Sequence, residues 1–328
     1  MRHLILPPST DAGQPCAPLG PERALTYTVA TFRTWGSAMF RCCALLSACL
    51  LVMVSGAASA KPKQPPAPAR AYVESSYVIA PKAVDGLSLT RSKYDPAAKL
   101  AGVGFHYAMA DQPDLVIDVF VYPAGRLDPA TALDDGLVAF RRDLASAVTQ
   151  GTYSRLDELD HAPFVLGGST DPAPEPANDI DAAVLAAIAE TERTTGERLR
   201  LSMQLSSTGM PLRSSGYLFY KQLYYFKVRV SAAQSSMAQD AFDALADRVA
   251  RTLVPAIQVA NVGGCADATI YLDPDATPEQ GAVALVRQTR THQGFNCHRS
   301  AKDAGVDRDA GTADMVEIVY AADDWTSR

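Results

Sequence analysis

The chain has 328 residues, 30 Lys+Arg against 36 Asp+Glu, and a formal net charge of −6. Nucleic acid is excluded as an expected partner, because binding it requires a basic footprint that this balance does not supply. A strongly anionic membrane surface is disfavoured for the same reason, while the length suffices for one large domain or a domain with an extension.

Residues 1–38 carry Pro7, Pro8, Pro15, Pro18 and Pro21 and show no apolar periodicity. They are read as an extension upstream of the native start, which is expected at Met39. Met39-Phe40-Arg41 is short and positive, Cys42 to Val54 is apolar and uncharged, and small residues follow to Ala60. A positive start, an apolar block and an Ala-x-Ala site make a secretory signal peptide over 39–60. Ala58 and Ala60 are the small side chains at the cleavage site, and the mature chain is expected to begin at Lys61. The apolar block falls short of the roughly 20 residues that a spanning helix needs. Leu46-Ser47-Ala48-Cys49 has the form of a lipobox, so the alternative is a lipoprotein tethered to the membrane through Cys49. Either way the expected location is periplasmic or secreted. After Ala60 there are 18 Arg and 8 Lys, a ratio that suits a GC-rich bacterial genome.

Four of the six cysteines precede Ala60, so the mature chain keeps Cys265 and Cys297. An even pair in an oxidising compartment predicts a disulfide. Closing a loop of about 30 residues, it contributes roughly 3 kcal/mol in the chain-entropy description.

Residues 61–71 are a proline-rich linker, expected to be extended. Tyr72 to Ile79 is a short strand candidate. Gly102 to Met109 alternates, with Val103, Phe105, Tyr107 and Met109 on one face, and Leu115 to Tyr122 is rich in β-branched and aromatic residues. Together they predict a β-hairpin. Asp128-Pro129 opens a helix as N-cap and first helical residue. Leu133, Leu137, Phe140, Leu144 and Val148 give that helix one apolar stripe, and Gly151 ends it. Tyr153 to Leu159 and Phe164 to Leu166 are weaker strand candidates, with His161 in a loop between them. Residues 167–181 read as a polar loop and 181–192 as a short Ala-rich helix. Leu199 to Leu205 alternates as a strand. Gly216 to Val230 reads as a hairpin turning at Lys221-Gln222. A last helix, capped by Ser235 or Ser236, carries Phe242, Leu245, Val249 and Leu253 on one stripe.

The main domain, 72–259, is therefore expected to be α+β: an antiparallel β-sheet with two amphipathic helices packed on one face. Residues 260–328 read as a small C-terminal extension tied by the disulfide. It has a strand candidate at Ala268–Leu272, a helix opened by the capping box Thr277-Pro278-Glu279-Gln280, a loose charged segment at 299–313 and a strand at Met315–Tyr320.

This order of elements resembles the PsbP-like fold of exported proteins. The matching stretches are the hairpin at 102–122, the helix at 128–150, the strands at 199–230 and the helix at 236–257. The likeness spans about residues 72–257 and leaves out the extension. It implies a binding or assembly accessory more often than an enzyme. It carries no functional residue over, because the fold has no common catalytic set.

The residues show no Gly-x-Ser-x-Gly, and Gly167-Gly168-Ser169 lies in a Pro-rich loop. Gly102-x-Gly104 lies in a strand, so it is no phosphate cradle. His161 stands near Asp157, Glu158 and Asp160; a solvated turn explains it better than a metal or acid–base pair. His292, His298, Cys265 and Cys297 are the densest set of possible zinc ligands, but their spacing lacks a Cys-x-x-Cys and the disulfide is preferred. No carboxylate pair is placed across a cleft for glycosidase chemistry. The aromatic hairpin suits a packed core, and if the chain carries a ligand surface, Arg213, Tyr217, Tyr220, Tyr224 and Arg229 are expected to form it. The expectation is an exported, non-enzymatic binding or envelope-accessory protein with no cofactor, no metal and no catalytic set. Its partner would be a protein or envelope component, with the membrane involved only through Cys49. The alternative is an exported hydrolase, metal-dependent through His161 or His292.

Overall fold

The structure, a computed structural model, describes residues 70–167, 174–309 and 311–325. The signal peptide with Ala58, Ala60 and Lys61, the lipobox Cys49 and the linker before Arg70 lie outside the described residues.

The strands are β1 (Ser75–Pro81), β2 (Ala83–Val84), β3 (Leu87–Tyr94), β4 (Val103–Met109), β5 (Val116–Pro123), β6 (Tyr153–Leu166), β7 (Thr194–Leu205), β8 (Pro211–Lys221), β9 (Tyr224–Ala233), β10 (Gln258–Val262), β11 (Cys297–His298) and β12 (Ala313–Val319). The helices are α1 (Pro129–Thr149), α2 (Asp179–Glu192), α3 (Gln239–Ala256), α4 (Pro278–Gly294) and the single turn α5 (Ala301–Ala304). The larger sheet is antiparallel throughout, in the order β2-β3-β4-β5-β9-β8-β7-β6. A smaller sheet runs β11-β10-β1-β12 and is antiparallel except where β11 joins β10. The architecture is α+β, as the sequence predicts. No described helix is long and apolar enough to cross a membrane.

The two long helices differ from expectation in placement: they cover opposite faces of the large sheet. On one face Phe105, Tyr107, Ile117, Val119, Tyr217, Phe219, Phe226 and Val228 pack with Phe242, Ala246, Val249 and Leu253 of α3. On the other, Leu199, Leu201, Met203, Leu218 and Tyr225 pack with Leu137, Phe140 and Leu144 of α1. Side chains alternate along a strand, so a run such as Tyr217-Leu218-Phe219-Tyr220 sends apolar groups both ways. The β8–β9 hairpin is apolar on both faces and needs cover on both.

The α1 helix comes close to the sheet because Gly216 has no side chain. A Cβ there would stand 2.5 Å from Cζ of Phe140. Gly216→Ala is therefore expected to cost about 1–3 kcal/mol through overpacking, although alanine suits a strand better than glycine. A fall in the urea midpoint measures it, and an unchanged midpoint would show that Phe140 moves freely.

Three local expectations are corrected. β6 is one strand running through His161, with register shifts at Tyr153/Arg155 and Glu158/Asp160; these bulges break the alternation that marks a strand. The N-cap of α3 is Ala238, without a side-chain cap bond, because Ser236 hydrogen-bonds the carbonyl of Ala233 instead. Residues 268–272 form no strand; the side chain of Gln288 holds the backbone of Tyr271 through two hydrogen bonds and satisfies it there.

The boundary expected at 259/260 falls inside β10. The last segment is no appendix: β12 pairs with β1 from Ser75↔Val319 to Pro81↔Ala313. Tyr320 and Trp325 are buried beside Tyr224, and Tyr320 shares a 2.5 Å hydroxyl–hydroxyl bond with it. The 299–313 segment holds α5 and a short 3₁₀ turn. The capping box of α4 forms as predicted, with both of its reciprocal bonds.

Candidate functional site

The five residues expected to share a ligand surface are not brought together. Tyr217 and Tyr224 are fully buried on the α3 face. Arg229 lies on the α1 face, 6% exposed, beside Asp118 (3.5 Å) and donating to the Tyr153 hydroxyl (3.2 Å). Arg213 is spent on the carbonyls of Gln234 and Met237 and the side chain of Gln239. Tyr220 alone reaches a rim. The hairpin fails as a stacking platform because its aromatic residues fill two cores.

The other candidates are likewise held by neighbours. His161 pairs with Glu197 at 2.7 Å across β6 and β7, Glu158 with Arg141, and Asp160 with Arg198. The Arg141 guanidinium holds the Glu158 carboxyl below the usual range. Cys265 and Cys297 are bridged, with Cα atoms 5.7 Å apart, inside the ordinary span of a disulfide. His292 stacks edge-on against Phe295 and His298 contacts Asn296. Among the described residues no group of three or more His, Cys, Asp and Glu gathers as a metal site.

Two lysines sit where sequence reasoning does not look for them. Lys227 lies among Phe120, Tyr122 and Phe140, its ammonium 5.0–5.7 Å from their ring centres and 3.0 Å from Asp143. Burial lowers its pKa, and Asp143 opposes that fall. Lys221 donates to the carbonyls of Val254 (2.6 Å) and Ile257 (3.0 Å) at the C-terminal end of α3, over the ring of Phe226. A cation there meets the negative end of the helix dipole.

Burial nonetheless brings the Lys221 pKa down to about 7, from an ordinary 10.5. Between those values the unfolded chain holds the proton and the folded chain does not. Stability therefore rises with pH from about 7 toward 10.5, by at most ~1.4 kcal/mol per unit, and is flat below 7. Lys221→Met removes this dependence. Wild type is expected to gain unfolding free energy relative to the variant as the pH rises from 7 to 10, and parallel curves would show that Lys221 keeps its charge.

The remaining cluster lies where the two sheets meet, at the turn joining β8 to β9. Gln222 and Leu223 both have positive φ, 54° and 67°, the twist of a tight hairpin usually given to Asn-Gly. Surrounding bonds hold the turn. Gln222 accepts from Val259 N–H, its carbonyl accepts from Asn261, and Leu223 is buried. The Leu223 carbonyl accepts from Ala124 N–H (3.0 Å) and Gly125 N–H (3.2 Å). The Tyr220 hydroxyl donates to the Gly125 carbonyl (2.9 Å) and accepts from Leu127 N–H (3.1 Å). Four bonds thus fix the backbone on both sides of Arg126, whose side chain is exposed.

Groups on three separate elements feel the Arg126 charge. Tyr72, just before β1, has a buried hydroxyl with no hydrogen-bond partner among the described residues. Burial raises its pKa and Arg126 pulls it back. Tyr220 is raised by burial and lowered by the Leu127 N–H and Arg126. His292, in the last turn of α4, is lowered by burial and again by Arg126, so its ring is neutral at neutral pH. The bridge staples this corner: Cys265 N–H donates to the Tyr72 carbonyl, and Cys297 lies two residues beyond the buried Phe295. Sequence reasoning passed over Arg126 because the groups that feel its charge come from three distant segments.

No family model matches the chain, and no curated protein matches it. Among solved structures, the solution structure of cyanobacterial PsbP (CyanoP) from Synechocystis sp. PCC 6803 is similar to it, at 11% identity and a TM-score of 0.33. That match covers 53% of this chain and 82% of the other. It is a weak resemblance of fold, and nothing about function follows from it.

Proposed function

We propose that this chain is an exported binding or accessory protein of the cell envelope that acts without catalysis, on a protein or envelope-component partner. The observation that carries the reading is the Cys265–Cys297 bridge, a covalent tie between the turn after β10 and the strand after α4. Structural disulfides belong to oxidising compartments. The signal-like segment at 39–60 supports the same compartment. A binding role is supported by how the chemical side chains are used: Arg200, Arg229, Lys227 and Glu158 are held in ion pairs, and His161 in a hydrogen bond to Glu197, that fasten strands and helices together.

The test is the intact mass of protein recovered from a bacterial envelope after thiol blocking, followed by gentle crosslinking there. The expected mass begins at Lys61 with both cysteines unblocked until reduction, and crosslinking yields a defined complex. An acylated mass beginning at Cys49 would make the chain a tethered lipoprotein. Two blocked thiols on cytosolic protein would overturn the reading.

A further inference from the structure

We infer that the open edge of β12 pairs with the same strand of a second copy of the chain, antiparallel about Val316, so that two small sheets become one. The inference stands apart from the binding-protein reading. Among the described residues β12 has a neighbouring strand on one side only, β1. The Thr312 carbonyl accepts from Lys82 N–H at one end of that ladder, and Tyr320 N–H donates to the Glu74 carbonyl at the other. Antiparallel pairing alternates, so Asp314, Val316 and Ile318 bond β1 while Ala313, Met315, Glu317 and Val319 turn their N–H and C=O groups outward. A bare row of that kind is a template for another strand. The other strands that end the sheets are defended. β2 and β11 have two residues each, and β6 is broken by two register shifts and carries Pro163. β3, where it outruns β2, is broken at Leu89/Arg91 and carries Arg91 and Lys93. β12 runs seven residues without a shift, has no Lys, Arg or Pro, and leaves Val319 62% exposed.

The residues of β12 select its own copy as the occupant. Two-fold pairing about Val316 uses all seven residues and sets Met315 opposite Glu317, Asp314 opposite Ile318 and Ala313 opposite Val319 of the second copy. Each outward-turned residue then meets another, and both bonds of every such pair can form. No like charges stand directly opposite, the arrangement that would oppose pairing. Moving the centre to Glu317 or Asp314 would set an acid against its own copy and leave residues unpaired. The two Glu317 fall on a diagonal, and each accepts from a Tyr77 hydroxyl (2.7 Å). Asp314 is taken up by the Ser92 hydroxyl. A two-fold axis requires such a self-matching patch.

The test is sedimentation equilibrium of the full-length oxidised protein, with amide hydrogen exchange followed by NMR. A dimer is expected with a Kd on the order of 100 μM or tighter, as suits a small interface. Raising the concentration is expected to slow exchange at Met315, Glu317 and Val319, while Asp314, Val316 and Ile318 stay protected by β1 throughout. Met315→Pro removes an N–H that β1 does not use, and proline is tolerated on an edge strand. That variant is expected to weaken the dimer at least about tenfold, with the protection of Val316 and Ile318 unchanged. A chain that stays monomeric at about 1 mM, a dimer whose outward amides exchange as fast as in the monomer, or a Met315→Pro variant that dimerises like wild type would each overturn the inference. Protection of those amides that appears only on adding envelope extract would also overturn it, and would give the edge to a different protein.

Discussion

Replacing Arg200 by methionine is expected to lower the free energy of unfolding by about 2–4 kcal/mol, the range for stripping one partner from a buried ion pair, reduced for partial solvent access. Arg200 is 6% exposed on the α3 face of β7. It donates to the Ser215 hydroxyl (2.6 Å), the Tyr217 hydroxyl (2.8 Å) and Asp247 Oδ1 (2.9 Å), and its Nε lies 3.3 Å from Asp243. Asp243 and Asp247 stand one turn apart on α3, so without the guanidinium two carboxylates repel each other beside an apolar wall. Both are more than a quarter exposed, which lets water soften the loss. Tyr217 keeps its 2.6 Å bond to Asp247, and burial followed by that bond drives the Tyr217 pKa far up, so the phenol stays protonated. Urea unfolding measures the loss. Arg200→Lys is expected to recover part of it, since it restores the charge without the fork. A methionine variant as stable as wild type would show that α3 is held by its apolar stripe alone.

Removing the disulfide as Cys265→Ser with Cys297→Ser is expected to cost about 3–4 kcal/mol, from the entropy regained by a loop of 32 residues in the unfolded chain. The native state adds a local reason. No residue of α4 is fully buried, and it rests on α2, where Ala187 is the one buried residue. Such a helix pair has little core to hold it, so the bridge fixes the end of α4. Reduced protein is expected to show faster proteolysis between 266 and 296 than elsewhere. Uniform cleavage along the chain would show that the bridge acts only on the unfolded state.

The parts of the fold legible in sequence are those set by near neighbours. β4 and β5 alternate cleanly because their even and odd residues face different surroundings, and α4 announces itself through Thr277 and Gln280. β3 escaped because Leu87–Tyr94 is mostly polar, with one residue fully buried. The opposite placement of α1 and α3 is written in the unbroken apolar run of β8, which signals burial on both faces. The small sheet lay beyond local reasoning, since β1 meets β10 and β12 only in space. The loop around Arg126 was illegible for the same cause: its backbone bonds go to Leu223 and to Tyr220, which lies 93 residues from Leu127 in sequence.

The placement of β1 between β10 and β12 fixes a timetable. Tyr77 lies opposite Ala260 on one side and Glu317 on the other. The first strand of the described fold can complete its ladder only when the last strand has arrived, and closing loops that long is slow. The hairpins β4–β5 and β8–β9 have their partners close at hand. A chain that emerges from its amino end must therefore carry β1 with both edges bare until nearly all the rest is out, and a chain cut short before Ala313 leaves one edge bare for good. Completeness of the polypeptide is thereby written into the smaller sheet.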